Sequence, residues 1–360
     1  MKKNTIFLIC IGCIFILSQC DDSRISEDGN PIEPIESRDY STIAFIARIT
    51  DNSAEWSLCT VDKSGNNRQK IVDKTTTCSK PVRSGSGHKL LFSTLTNNYM
   101  YELYAVDTDG SELTLIDRAD VYCGNADWSP DDNYIVYVRC SDPYWNNSDL
   151  VLYNISDKTH TILQNEGNTS CPKFSPNGKQ IAYCKSTETS GNIYKMDITG
   201  NNNQLIISNA SCPNWSPQGD KIAYLSSGID RSSQIFIANA DGSGQKQLTS
   251  SVSPVWWDTG FPRDGNEDPQ WTPDGKNIVY VSWENEKPEI FIMNAAGNDK
   301  TRLTTAEFRD ECPEITLDGQ SILFSSRRSD MMNNGICIMA LDGSNQRVLS
   351  NAGIYPIACR

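Results

Sequence analysis

The sequence predicts an all-β protein, a single seven-bladed β-propeller with four-stranded blades, on three observations. First, one stretch recurs, and its cleanest copy reads Cys-Pro-Asn-Trp-Ser-Pro-Gln-Gly-Asp-Lys-Ile-Ala-Tyr at 212–224. Its Ser216-Pro217-Gln218-Gly219 centre is a turn, since Pro presets φ and Gly accepts positive φ. The flanks alternate in the strand manner, so the unit is a β-hairpin. Further copies run over 171–183, 268–280 and 312–324, with looser ones at 125–137 and 80–92. Second, the aromatic residue that ends each copy falls at Phe45, Phe92, Tyr137, Tyr183, Tyr224, Tyr280 and Phe324, spacings of 41 to 56 residues. A period in the forties made of several short strands is that of propeller blades. Third, the first period lacks an opening strand, whereas 354–359 reads as an opening strand with no second strand after it. The two halves complete one blade, so the first blade is closed by the C-terminal strand and the ring keeps no open edge.

In chain order, Lys2 and Lys3 precede an apolar run from Thr5 to Leu17, a secretory signal peptide over residues 1–19 that is too short to persist as a spanning helix. The run ends Leu17-Ser18-Gln19-Cys20, which resembles a bacterial lipoprotein box and makes Cys20 the expected lipidation site. Gln19 departs from the small residue usual before the Cys, and the competing Cys13 would leave a very short apolar run. Residues 20–40 are acidic and Pro-bearing with no periodic apolar face, a lipidated tether. Acidic residues directly after the lipid Cys resemble the export signal of Bacteroidetes-type surface lipoproteins; a solvated linker is the plainer reading. The propeller then fills 41–360.

Each period supplies four strands. The first is the Pro-x-Trp-Ser segment and the second the Ile-Ala-Tyr type. The third recurs as Trp56 to Asp62, Glu102 to Asp107, Asp149 to Asn154, Asn192 to Asp197, Gln234 to Asn239, Glu289 to Asn294 and Gly335 to Ala340. A Gly turn follows at Gly65, Gly110, Gly200, Gly242, Gly297 and Gly343, with Ser156-Asp157 in the third period. The fourth is Leu-Thr-like, as at Leu303 and Thr304. Trp128, Trp215 and Trp271 sit at one repeat position, where packing between blades is the expected role.

These motifs resemble the TolB-like, WD-repeat-like propellers over about residues 41–360. Trp271-Thr272-Pro273-Asp274-Gly275-Lys276-Asn277-Ile278-Val279-Tyr280 is nearly a full match to that repeat. TolB itself carries six blades after a small α/β domain that residues 21–40 cannot form, so the resemblance does not imply a role in the Tol–Pal system. Prolyl-oligopeptidase-type hydrolases carry related propellers, but no hydrolase domain is expected here.

The chain carries a formal net charge of −13, and removal of residues 1–19 takes away two Lys and no acid. Such a chain, with no basic run, does not hold nucleic acid through phosphate contacts. Catalytic signatures are missing. The two His, at 88 in a turn and 160 at the start of a fourth strand, supply neither a triad base nor the His-rich metal site of oligogalacturonate lyase propellers. There is no Gly-x-Ser-x-Gly elbow, P-loop or His-Glu-x-x-His, and Asp107-Thr108-Asp109-Gly110 is explained by a strand turn. No catalytic residue, metal or cofactor is expected.

The expected function is therefore a non-catalytic cell-envelope protein, an outer-membrane lipoprotein that is periplasmic or surface-exposed. It touches the membrane through its N-terminal lipid only, and its propeller binds a protein or glycan. A propeller enzyme, a polysaccharide lyase or glycoside hydrolase using face carboxylates such as Asp258, Asp264, Asp310 and Glu311, is the alternative; a structural partner in a surface complex is a third. Antiparallel strands send the second-to-third and fourth-to-first loops to one face. That face collects Tyr144, Trp145, Trp256, Trp257, Phe261, Trp283, Arg327 and Arg328, outside the repeat positions, and these are the expected ligand-binding residues. A lid over the channel is their other reading. Finally, if the hairpins align Phe174 with Ile181 and Trp128 with Ile135 in unbroken register, Cys171 faces Cys184 and Cys123 faces Cys140, within disulfide range; buried free thiols are the alternative.

Overall fold

The hairpin repeat closes on itself in the computed structural model as seven four-stranded antiparallel sheets. Residues 42–360 are described apart from 49–55, 76–78, 97, 143–146, 187–190, 228–231, 251–264, 285–286, 306–307 and 328–333. Blade 4 shows the pattern, with Asn168–Phe174, Gln180–Ser186, Gly191–Asp197 and Gln204–Ser208 in sequential order. From blade 1 to blade 7 the innermost strands are Ile354–Cys359, Val82–Arg83, Tyr122–Trp128, Asn168–Phe174, Ala210–Trp215, Asn266–Trp271 and Arg309–Ile315. Each touches the next and the last touches the first, so they wall a central channel.

Closure is as expected. Ile354–Cys359 pairs antiparallel with Thr42–Arg48, with Ile43 opposite Ala358 and Ala44 opposite Ile357. Ile357, Ala358 and Cys359 are buried, because this strand occupies the innermost position of blade 1. Gly353 leads into it so close to Phe45 that a Cβ there would lie 2.5 Å from the ring.

The second strands are buried on both faces, which explains runs such as Ile43–Ala47 and Ile135–Val138. Between blades the repeat Trp residues act as expected and do one thing more. Each indole Nε1 donates 3.2 Å to a carbonyl of the preceding blade's inner strand: Trp128 to Val82, Trp215 to Lys173 and Trp271 to Asn214. A large apolar ring is buried and its one donor satisfied by the neighbour.

The aromatic residue that marks each period has a structural reason. In blade 4 the ladder pairs Ser170 with Cys184 and Lys173 with Ala182, so Cys171 and Pro172 together oppose Tyr183. The same two-against-one bulge sets Asn125 and Ala126 against Tyr137, Cys212 and Pro213 against Tyr224, Asp268 and Pro269 against Tyr280, and Cys312 and Pro313 against Phe324. Pro fits there because a bulge residue needs no ladder N–H.

The bulge corrects the cysteine pairing. Phe174 does face Ile181 and Trp128 does face Ile135, but the register slips by one beyond the bulge. Cys123 faces Arg139, and Cys140 faces Tyr122. A one-residue slip puts Cys123 and Cys140 on opposite sheet faces. Cys184 faces Ser170, leaving Cys171 as the bulge residue, and all four are free thiols. The fourth strand of blade 6 is also shorter than expected, Thr301–Arg302. Leu303 N still donates to Ile290 O at 2.8 Å, and Thr304 Oγ1 accepts from Ile290 N at 3.0 Å, a side chain ending the ladder as the chain leaves for blade 7.

Candidate functional site at the channel mouth

The bulges place one residue of each blade at the same level of the channel wall: Tyr355, Lys80, Asn125, Cys171, Cys212, Asp268 and Cys312 for blades 1 to 7. Lys80 belongs to this level because Ser79 N donates to Ser93 O and Val82 faces Leu91. Six of the seven, all but Lys80, have φ between 47° and 56°. A non-Gly residue in that region costs about 1–3 kcal/mol, and here it takes each of the six out of the regular ladder pairing.

The ring is chemically uneven. Blades 4 and 5 contribute two thiols, Cys171 and Cys212. Blades 6 and 7 contribute Asp268 and Cys312, flanked by Glu267 and Glu311. Salt bridges and hydrogen bonds tie neighbouring inner strands: Lys173 Nζ to Asp127 Oδ1 at 2.9 Å, Asn214 Nδ2 to Pro269 O at 2.8 Å and Lys80 Nζ to Glu314 Oε2 at 3.6 Å. Enclosure by protein pulls the Lys80 ammonium toward its neutral form, but Glu314 and Asp268 outweigh it and raise its pKa, so it stays charged. Burial pushes the Cys312 thiol up; Lys80 opposes, Asp268, Glu311 and Glu267 add, and the result is about 12.

A cavity of about 260 Å³ opens between blades 6 and 7, lined by Glu267, Asp268, Val281, Trp283, Glu311 and Cys312. Trp283 is only 3% exposed, and its backbone N donates to Gly265 O at 3.0 Å. The Arg309 guanidinium lies 5.0 Å over the indole ring and donates to Glu311 Oε1 at 3.1 Å. Trp283 Nε1 is a buried donor with no acceptor among the described residues. The cavity thus brings one indole and three carboxylates together, a lining suited to a ligand with a cationic group.

Of the residues singled out in the sequence, Trp283 forms this wall. Arg327 ends the second strand of blade 7, exposed and opposite Arg309. Tyr144, Trp145, Trp256, Trp257, Phe261 and Arg328 lie outside the described residues, as do Cys20, Asp258 and Asp264. Asp310 is 4% exposed, whereas Glu311 faces the cavity. His88 is exposed in a turn. His160 Nδ1 sits 2.9 Å from the Tyr137 hydroxyl in a clamp between blades 2 and 3, where Arg139 also bridges Asp117 at 3.0 Å and Asp149 at 2.9 Å. Among the described residues no three His, Cys, Asp or Glu side chains are arranged to hold a metal ion. Sequence reasoning missed the ring and Arg309. The available signal was the position just before the repeat Pro, which changes from Cys to Asp while its neighbours repeat.

The TolB beta propeller domain model matches residues 93–267 and 210–355. The Tol-Pal system protein TolB of Francisella tularensis subsp. mediasiatica (strain FSC147) is 30% identical over 271 residues, 71% of this chain and 59% of that protein. The chain therefore spans less than two thirds of the length of this curated relative. Among solved structures, TolB from Acinetobacter baumannii gives a TM-score of 0.55 at 16% identity, covering 73% of this chain and 63% of that one. The β-propeller domain of the Trilobed protease from Pyrococcus furiosus gives 0.63 at 12% identity, covering 86% and 92%. At these identities the two structures share the fold.

Proposed function

Because the chain belongs to the TolB β-propeller family, we propose that it is a non-catalytic protein of the cell envelope whose propeller binds a partner at the channel mouth. Residues 1–19 are its signal peptide, 20–40 a tether lipidated at Cys20, and 41–360 the binding domain. The membrane is met through that lipid alone. The surrounding loop face, with Tyr144, Trp145, Trp256, Trp257, Phe261, Trp283, Arg327 and Arg328, carries the rest of the contact. A protein or glycan is the ligand class, and the mouth favours a protein segment. The observation that carries this is the buried Trp283, whose Nε1 has no acceptor among the described residues, beside Glu267, Asp268 and Glu311. A polypeptide offers a carbonyl acceptor and a Lys or Arg side chain within one short stretch.

Double replacement Glu267→Gln with Glu311→Gln tests it. Binding to an identified envelope protein should weaken at least tenfold, with a reduced salt dependence, since rim charges steer and select partners. A fully salt-insensitive glycan ligand, unaffected by the double variant, would contradict it. For the anchor, the full chain should partition into the detergent phase, and Cys20→Ala should move it to the aqueous phase; unchanged partitioning excludes Cys20 as the lipid site.

A further inference from the structure

Three sulfurs meet where the inner strands of blades 4 and 5 touch. Cys171 Sγ lies 3.6 Å from Cys212 Sγ, across the two blades. Cys184, on the second strand of blade 4, receives the Cys212 backbone N–H on its sulfur at 3.1 Å. Cys171 and Cys212 are the bulge residues of their strands, with φ of 49° and 50°, and both are half-buried on the channel wall, whereas Cys184 is only 2% exposed. None of these three thiols lines the mouth cavity.

We propose that Cys171 and Cys212 are a redox-active dithiol, with Cys171 the attacking thiol and Cys212 the resolving one, and that its oxidised form is a disulfide joining the innermost strands of adjacent blades. A disulfide needs sulfurs about 2.05 Å apart, so the pair must close by about 1.5 Å, within reach of χ1 adjustment of two side chains. Cys171 is the better nucleophile of the cluster. Hydrogen bonds from Cys184 and then Cys212 hold its thiol well below the ordinary range despite burial, and Lys173 adds a positive charge. Donating those bonds correspondingly raises Cys184 and Cys212. Cys184 is the poorer partner because its sulfur is buried and already held by the Cys212 N–H. Cys312 occupies the same ring level in blade 7, but burial and its acidic neighbours keep it protonated, so it serves as an internal comparison.

The oxidant is a small-molecule disulfide such as glutathione disulfide, reaching the pair through the channel. The Cys171 thiolate attacks one of its sulfurs, forming a mixed disulfide and releasing one glutathione thiolate. Cys212 then gives up its proton and attacks Cys171 Sγ. The protein disulfide forms, and the second glutathione leaves and takes up a proton. Two protein thiols are oxidised and one disulfide is reduced to two thiols.

The test uses the reduced full chain incubated with glutathione disulfide at neutral pH, then alkylated in denaturant and digested with trypsin. Lys173, Lys179, Lys185 and Lys195 place the three cysteines on separate peptides. The expected map shows Cys171 linked to Cys212, with Cys184 and Cys312 alkylated. Cys212→Ser should trap glutathione on Cys171, and Cys171→Ser should leave Cys212 alkylated with no link and no adduct. A link from Cys184 to either neighbour, or alkylation of Cys171 and Cys212 alike in the parent, overturns the proposal. Should a serine variant fail to fold, the parent map decides by itself.

Discussion

Trp283 combines two properties that a core Trp does not need together: nearly complete burial and a donor with no acceptor among the described residues. The repeat Trp residues show the contrast, since Trp128, Trp215 and Trp271 each spend Nε1 on the neighbouring blade. An unpaired buried donor is a standing cost of about 1–3 kcal/mol, so removing it while keeping an aromatic ring should be close to neutral. Trp283→Phe should therefore change unfolding free energy by no more than about 1 kcal/mol, whereas Trp283→Ala should lose about 3–5 kcal/mol of packing. Urea unfolding measures both, and a large loss in the Phe variant would show that Nε1 has a partner inside the folded protein. Trp283 was legible in the sequence because it breaks the repeat. Arg309, which covers its ring, was not: nothing in the sequence says that Arg309 of blade 7 lies over a residue of blade 6.

At the scale of the strand, the ring depends on the last one. Ile354–Cys359 gives blade 1 its innermost strand, and without it Thr42–Arg48 becomes an edge. Deleting residues 352–360 removes the buried Ile357, Ala358 and Cys359 together, so the melting temperature should fall by more than about 10 °C, several times the shift expected for a single small lesion. Differential scanning calorimetry would show it, and a truncated protein that melts with the parent would mean that the ring closes elsewhere. This strand was readable as half of a missing blade. The pairing register within the hairpins was readable only as far as the bulge, because Phe174 opposite Ile181 follows from the turn whereas the slip at Cys171-Pro172 comes from a backbone conformation that Cys rarely adopts. The Pro in each copy was the clue, since a strand interior does not ordinarily accept it.

For the molecule as a whole, fold and site differ in how they are written. The fold is written many times over, as period, aromatic residue, turn and Pro, and errors at one copy are outvoted by the others. The site is written once. It depends on which residue each blade places at its bulge, and Asp268, Cys312, Lys80 and Tyr355 come together only after about three hundred residues of chain have closed into a ring. Charge follows the same division: a formal net charge of −13 says that the surface is acidic, but not that Glu267, Asp268 and Glu311 share one cavity. The mouth, rather than the outer rim, is the surface proposed to meet the partner. Photo-cross-linking in cells tests it most directly, with a photoreactive residue placed at Arg309 on the mouth and, separately, at the exposed Leu205 on the outer strand of blade 4. A discrete cross-linked protein should appear from position 309 and none from 205; the same product from 205 alone would place the contact on the rim.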